Sequence, residues 1–174
     1  MHLTEETLAR LVDDVTAVET LRLVGAPPVS VVEPASLLRC GSLVSLQLSR
    51  LGLAKIEGRA LAACPALWWV DLSFNRLETL RESGVDALAA LGKLDVRRNK
   101  LAADGLDAAG DVEVLRLNVA GNPGARDALA RVPRAYRPRR PRFVGSGSRR
   151  RRGRDAHRSS MHRGHAAAAT RIVL

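Results

Sequence analysis

Asp71 and Asp95 stand 24 residues apart, each in the middle of an apolar triplet, VDL and LDV. If those triplets are neighbouring strands in register, the two carboxylates lie about 5 Å apart in the sheet direction, close enough to suggest an acid pair. Such a pair works as general acid and base only where exclusion of water keeps one carboxyl neutral. An outward position on an open strand offers no such shelter, so a charged row is expected, not a dyad. No nucleophile elbow, phosphate-cradling glycine loop or HExxH stretch accompanies it. No catalytic residue is therefore assigned, and enzymatic activity is not expected. Cys40 and Cys64 have neither a CxxC partner nor a clustered histidine, and of the four histidines only His2 precedes residue 157. Neither a disulfide framework nor a metal-ligand set is legible, and no cofactor is expected.

The charge is divided unevenly. The chain has 174 residues and a formal charge of +10, but residues 1–130 hold 14 of the 28 basic and 17 of the 18 acidic side chains, a net −3. Residues 131–174 carry 14 basic side chains and one acidic, a net +13. The basic character thus belongs to the C-terminal segment and not to the part rich in Leu and Val. No apolar run approaches the ~20 residues that span a bilayer, and MHLTEETLARL is polar and amphipathic, unlike a signal peptide. These features predict a cytoplasmic chain without membrane insertion, with a nuclear location as the alternative.

What would position Asp71 and Asp95 is a repeat. Laying LWWVDLSFNRL, from Leu67, over the chain as LxxLxLxxNxL gives five copies that begin at Val18, Leu43, Leu67, Leu91 and Val114, spaced by 25, 24, 24 and 23 residues. Slot four reads Leu21, Leu46, Val70, Leu94 and Leu117, and slot six Leu23, Leu48, Leu72, Val96 and Val119. The LxL portion is a short strand with alternate residues inward. One copy cannot bury its apolar edge, so neighbours must stack into a parallel sheet over an aliphatic interior. The Asn slot holds Asn75, Asn99 and Asn122, whose amides can satisfy turn backbone that the ladder leaves unpaired; Ala26 and Leu51 stand there in the first two copies. Cys40 and Cys64 each lie three residues before a repeat, where Val15 and Leu88 stand in other copies, which predicts buried thiols acting as small apolar groups. Asp111 in the same slot of the fifth copy predicts a partly exposed or displaced last rung.

Ahead of the repeats, Thr4 with Glu5 and Glu6 reads as a helix start, and Leu8, Leu11, Val12 and Val15 mark one helical face. A capping helix over 1–17 follows. At the other end, ARDALARV can form a second cap with Leu129 and Val132 inward, ending at Pro133. SGVDALAAL and GRALAAC read as short helices between strands. From Arg134 the chain is Pro, Gly, Ser and Arg with almost no aliphatics, which predicts a disordered tail over 134–174.

These residues resemble the leucine-rich-repeat superfamily, and VLRLNVAGNPG looks like the LxxLxLxxNP that closes short intracellular members. WWVDLSFNRL is similar to repeats of small cytoplasmic and ciliary members. The resemblance covers 18–133 and implies an α/β solenoid, a right-handed horseshoe of about five repeats with a curved parallel sheet and short convex helices. It also implies protein recognition on the concave face, in the cytoplasm or a cilium, and a monomer is expected.

On that face the outward row is Arg22, Gln47, Asp71, Asp95 and Asn118, flanked by Thr20, Ser45, Trp69, Lys93 and Arg116 on one side and Val24, Ser49, Ser73, Arg97 and Ala120 on the other. The richest spot is Trp69, Asp71, Lys93, Asp95, Arg97, Arg116 and Asn118, an aromatic anchor with charges of both signs. Trp68 and Trp69 cannot both point outward from one strand, and Trp69 is expected to be the exposed ring. Phe74 is read as packing near its turn. The expected function is a non-catalytic scaffold that binds a protein here. The alternative is a ribonucleoprotein component that also binds RNA through the tail, where Arg149, Arg150, Arg151, Arg152 and Arg154 form a phosphate-binding or nuclear-import patch.

Overall fold

Apolar residues at slots one, four and six of each unit force the chain to return to the same layer every 23 to 25 residues. The computed structural model describes residues 1–12, 14–23, 28–110, 114–127 and 170–173. In chain order its elements are β1 (His2–Leu3), α1 (Glu5–Leu11), β2 (Val18–Arg22), β3 (Val31–Val32), β4 (Ser45–Gln47), β5 (Lys55–Ile56), β6 (Trp69–Asp71), β7 (Lys93–Asp95), α2 (Asp107–Gly110), β8 (Arg116–Asn118) and β9 (Thr170–Val173). The architecture is α/β with parallel sheets and few, short helices. The larger sheet has the order β8-β7-β6-β4-β2-β9, and every pair in it is parallel.

Spacing predicts the register. Ser45, Trp69, Lys93 and Arg116 pair across β4, β6, β7 and β8, as do Gln47, Asp71, Asp95 and Asn118. Between these rows Leu46, Val70 and Leu94 are buried, and Leu43, Leu48, Leu67 and Leu72 join them in one aliphatic core. Each such side chain taken from water contributes roughly 1.5–3 kcal/mol. Cys40 and Cys64 are buried in the same core as free thiols, as their slot predicts. In the last rung Leu117 is only partly buried, consistent with the weakening expected there; Asp111 itself lies outside the described residues.

The three template asparagines are buried and fully engaged. The Asn75 amide donates to the carbonyls of Leu48 (2.7 Å) and Leu72 (2.9 Å), while its oxygen accepts from the N–H groups of Leu51 and Leu53, both at 3.0 Å. Asn99 bonds Leu72 O, Val96 O and Leu77 N, and Asn122 bonds Val96 O, Val119 O and Leu101 N, all within 3.1 Å. Each side chain thereby ties its own turn to the preceding one. Leu51, in the Asn slot of the second repeat, is buried instead and gives its N–H to Asn75.

Three features depart from the sequence reading. The N-terminal helix is only Glu5–Leu11, not a helix across 1–17. Thr4 caps it by accepting from Thr7 N at 3.1 Å, as expected. It stops because Val12 is extended and Asp14 captures both the N–H and the hydroxyl of Thr16, starting a separate 3-10 turn at Val15–Ala17. Second, β1, β3 and β5 form a small parallel sheet of their own. Two-residue strands leave no periodicity to read. Third, Thr170–Val173, inside the tail expected to be disordered, lies parallel to β2 at the sheet edge. TRIV is β-branched at three of its four positions, and the β2 edge offers it an unpaired backbone. The remaining tail residues 134–169 and 174, with the Arg149–Arg154 patch, lie outside the described residues, as do Val24, Ala26, Leu129 and Val132.

The inter-strand helices exist in a tighter form, as 3-10 turns at Ala60–Ala63 within GRALAAC and Val85–Ala87 within SGVDALAAL. Residues 125–127 are helical at the start of ARDALARV. Among the described residues no helix is long and apolar enough to cross a membrane.

Candidate functional site

Strands β6, β7 and β8 bring all seven expected residues together. Trp69, Lys93 and Arg116 form one row, Asp71, Asp95 and Asn118 the next, and Arg97 follows β7 by two residues. Their side chains alternate with buried Val70, Leu94 and Val96, so they stand on the sheet face that meets water.

The acidic row is held by the backbone in a way the spacing alone did not reveal. Asp71 accepts from Ser73 N at 2.9 Å, Asp95 from Arg97 N at 3.1 Å, and Asn118 from Ala120 N at 3.3 Å. Each is an Asx turn that closes its strand, which explains why these rungs carry Asp or Asn where Arg22 and Gln47 stand in the first two. Side-chain amide donation from Asn118 to the second oxygen of Asp95, at 3.2 Å, links two rungs. Arg97 Nε stands 3.5 Å from that oxygen. Asp95 is less open to water than an outward strand position predicts, and burial pushes its carboxyl above the usual range. The Arg97 N–H and guanidinium oppose that shift, and the charge of Asp71 adds a smaller push in the same direction as burial. Because both carboxylates are engaged in closing their own turns, the row is first a structural device.

The tryptophans are arranged differently from the expectation. Trp68 is the more exposed ring, at 39%, while Trp69 is half-buried. Trp68 precedes β6, and its indole lies where a side chain at Gly92 would stand, so it is spread over the next rung instead of turned inward. The Lys93 ammonium lies within reach of both rings, 4.8 Å from the Trp68 centroid and 5.6 Å from that of Trp69. Both rings are partly wet because one is on the strand and the other just before it.

Slot two of the repeat, to which Trp68 belongs, carries a further feature that sequence reading passed over. Val44, Trp68 and Leu115 are all exposed, with Leu115 at 76%, and only Gly92 interrupts them. Comparing this slot down the five copies would have found the row; attention to the outward strand positions missed it. Among the described residues no group of three or more His, Cys, Asp or Glu side chains is placed to hold a metal ion. No family model matches the chain, and no curated protein sequence matches it.

Proposed function

We propose that this chain is a leucine-rich-repeat module that binds a protein partner on the open face of its larger sheet, as a monomer and without catalysis. The observation that carries the reading is the in-register pair of rows Trp69–Lys93–Arg116 and Asp71–Asp95–Asn118. An aromatic group, cations and hydrogen-bonding carboxylates side by side on a rigid sheet are what interface hot spots are made from. The exposed Val44, Trp68 and Leu115 add apolar area along the entry edge of the same strands. A cytoplasmic or ciliary setting follows from the resemblance of WWVDLSFNRL and VLRLNVAGNPG.

The test is affinity purification with the full chain against a Trp69→Ala/Asp95→Asn variant, with thermal unfolding as the control for folding. Asn at 95 keeps an oxygen for the Arg97 N–H, so the turn survives while the charge goes. Partners recovered by the wild type and reduced at least tenfold by an equally stable variant support the site. Equal recovery by both proteins removes it.

A further inference from the structure

At the opposite, exit edge of the strands the chain makes a choice that its backbone does not favour. Arg50, Phe74 and Arg98 occupy the same slot in successive rungs, each with a left-handed backbone, φ 61°, 58° and 54°, and the fifth rung fills that slot with Gly121 at φ 76°. Glycine or asparagine suits this conformation, whereas Arg and Phe do so with strain. Three bulky side chains kept there point to a use for the side chains themselves.

Their arrangement defines that use. The Arg50 guanidinium lies 4.2 Å from the Phe74 ring centroid, that of Arg97 5.2 Å and that of Arg98 6.0 Å. An arginine held against an aromatic face still presents N–H donors at its edge, in the fork that matches a carboxylate. Arg76 and Lys100, which follow Asn75 and Asn99, are exposed on the same turns, and residues 49–52, 73–76, 97–100 and 120–123 contain five cations and no acid. Among the described residues only Arg97 of these five makes an ion pair, with Asp95. This edge is locally cationic within a region whose net charge is −3.

We propose that the Arg50–Phe74–Arg97–Arg98 edge docks an acidic, extended segment of a protein partner. Arg50 and Arg98 are two strands apart, about 9.6 Å at the usual ~4.8 Å strand spacing. A polyproline-type chain repeats its facing every third residue, about 9.3 Å. Carboxylates at every third position of such a segment therefore meet successive arginines. The chain's own tail is excluded as occupant by like charge, since residues 131–174 are net +13. A nucleic acid is disfavoured because Asp71 and Asp95, in the neighbouring strands, repel a chain charged at every residue more than one charged at every third. The inference rests on the proposed function only in taking the partner to be a protein, because its residues, apart from Arg97, differ from those of the open face.

The experiment measures fluorescence anisotropy of a labelled 12-residue peptide with Glu at every third position among Pro and Ala, titrated with the full chain. A Gln-for-Glu peptide is the control, and a single-stranded oligonucleotide of equal charge is the competitor. Arg50→Asn/Arg98→Asn removes two charges with a residue that tolerates the left-handed backbone, and Phe74→Leu removes the ring. Expected are a loss of at least tenfold in affinity for the double variant, a three- to fivefold loss for Phe74→Leu, and less than twofold for Trp69→Ala. Replacing Arg149, Arg150, Arg151 and Arg152 by Gln in the tail should change it less than threefold. Unfolding temperatures identify any variant that fails to fold, and the Asn pair then decides alone. Retained binding by the Asn pair, loss caused by the tail substitutions instead, or displacement by the oligonucleotide at lower concentration than the free peptide would each overturn the proposal. Loss on Trp69→Ala with binding retained by the Asn pair would instead place the acidic peptide on the open face.

Discussion

The side chains at the centre of the candidate surface serve two purposes, and Asp95 shows how they can be separated. Its carboxylate closes the turn to Arg97 and accepts from Asn118, yet burial raises its pKa above the ordinary value. A carboxyl whose folded-state pKa lies above its unfolded value opposes folding when ionised. That opposition is fully present above the folded pKa and disappears as pH falls through it towards the unfolded value. Asp14 has the opposite sign: its pKa is lowered chiefly by the Thr16 hydroxyl, so its contribution favours folding above the unfolded pKa and is lost as pH falls. The two partly mask each other in a wild-type acid titration. Asp95→Asn isolates one of them, and it should unfold at a slightly higher temperature than wild type at pH 7, by less than about 4 °C. The advantage should vanish near pH 3. A gain that persists unchanged at pH 3 would show that it does not come from ionisation. The cysteines stand apart from this surface: burial drives the Cys64 thiol up to about 12, with a smaller push from Cys40, so Cys64 is an apolar filler and not a nucleophile at neutral pH.

At the scale of elements, the strands are held in sequence by their turns as much as by their ladder. Asn75 and Asn99 each accept from turn N–H groups that the ladder leaves unpaired and share carbonyls with the next asparagine, and each unsatisfied group costs about 1–3 kcal/mol. Asn99→Ala strands Leu77 N and takes one of two amide donors from Leu72 O and from Val96 O, which keep those of Asn75 and Asn122, and should lower stability by about 2 kcal/mol in a denaturant titration. Asn75→Ala should cost at least as much, because that side chain also satisfies a second N–H. A loss below about 1 kcal/mol for either would mean that water takes over the turn. These elements were the legible ones: five copies of one template imply the parallel register, the buried asparagines and the inward cysteines, because each signal is repeated and each has one physical cause. The short sheet of β1, β3 and β5 was not legible, since HL, VV and KI are too brief to show a period. The end of α1 was hidden by Asp14, whose local hydrogen bonds win over a continuous apolar face. Of the candidate surface, the row positions were legible, whereas the relative exposure of Trp68 and Trp69 depended on the glycine at position 92 of the next rung. The cationic exit edge was missed because it appears only when Arg50, Phe74 and Arg98 are compared as one slot.

For the molecule as a whole, the proposed repeat architecture predicts that stability is distributed along the chain, each rung burying its apolar slots mainly against its two neighbours. Excising residues 68–91 joins Leu67 directly to Gly92 and leaves the template intact, because those positions begin adjacent slots of equivalent repeats. The shortened chain can pair β4 with β7 and rebuild the sheet with one rung fewer. It loses the buried Val70, Leu72, Leu77, Leu80, Val85, Leu88 and Leu91, and with them the Asn75 turn. Nearest-neighbour coupling then predicts a protein that still unfolds cooperatively but at a temperature lower by more than about 10 °C, with a denaturant slope reduced by roughly a fifth. Excising only residues 68–79 removes half a rung, brings Leu67 against Leu80, and sets the strand of one repeat against the 3-10 turn of another. That chain should have no cooperative transition. Circular dichroism and urea unfolding of both deletions check this directly. If the half-rung deletion unfolds as cooperatively as the full one, the 24-residue unit is not what the fold is counted in.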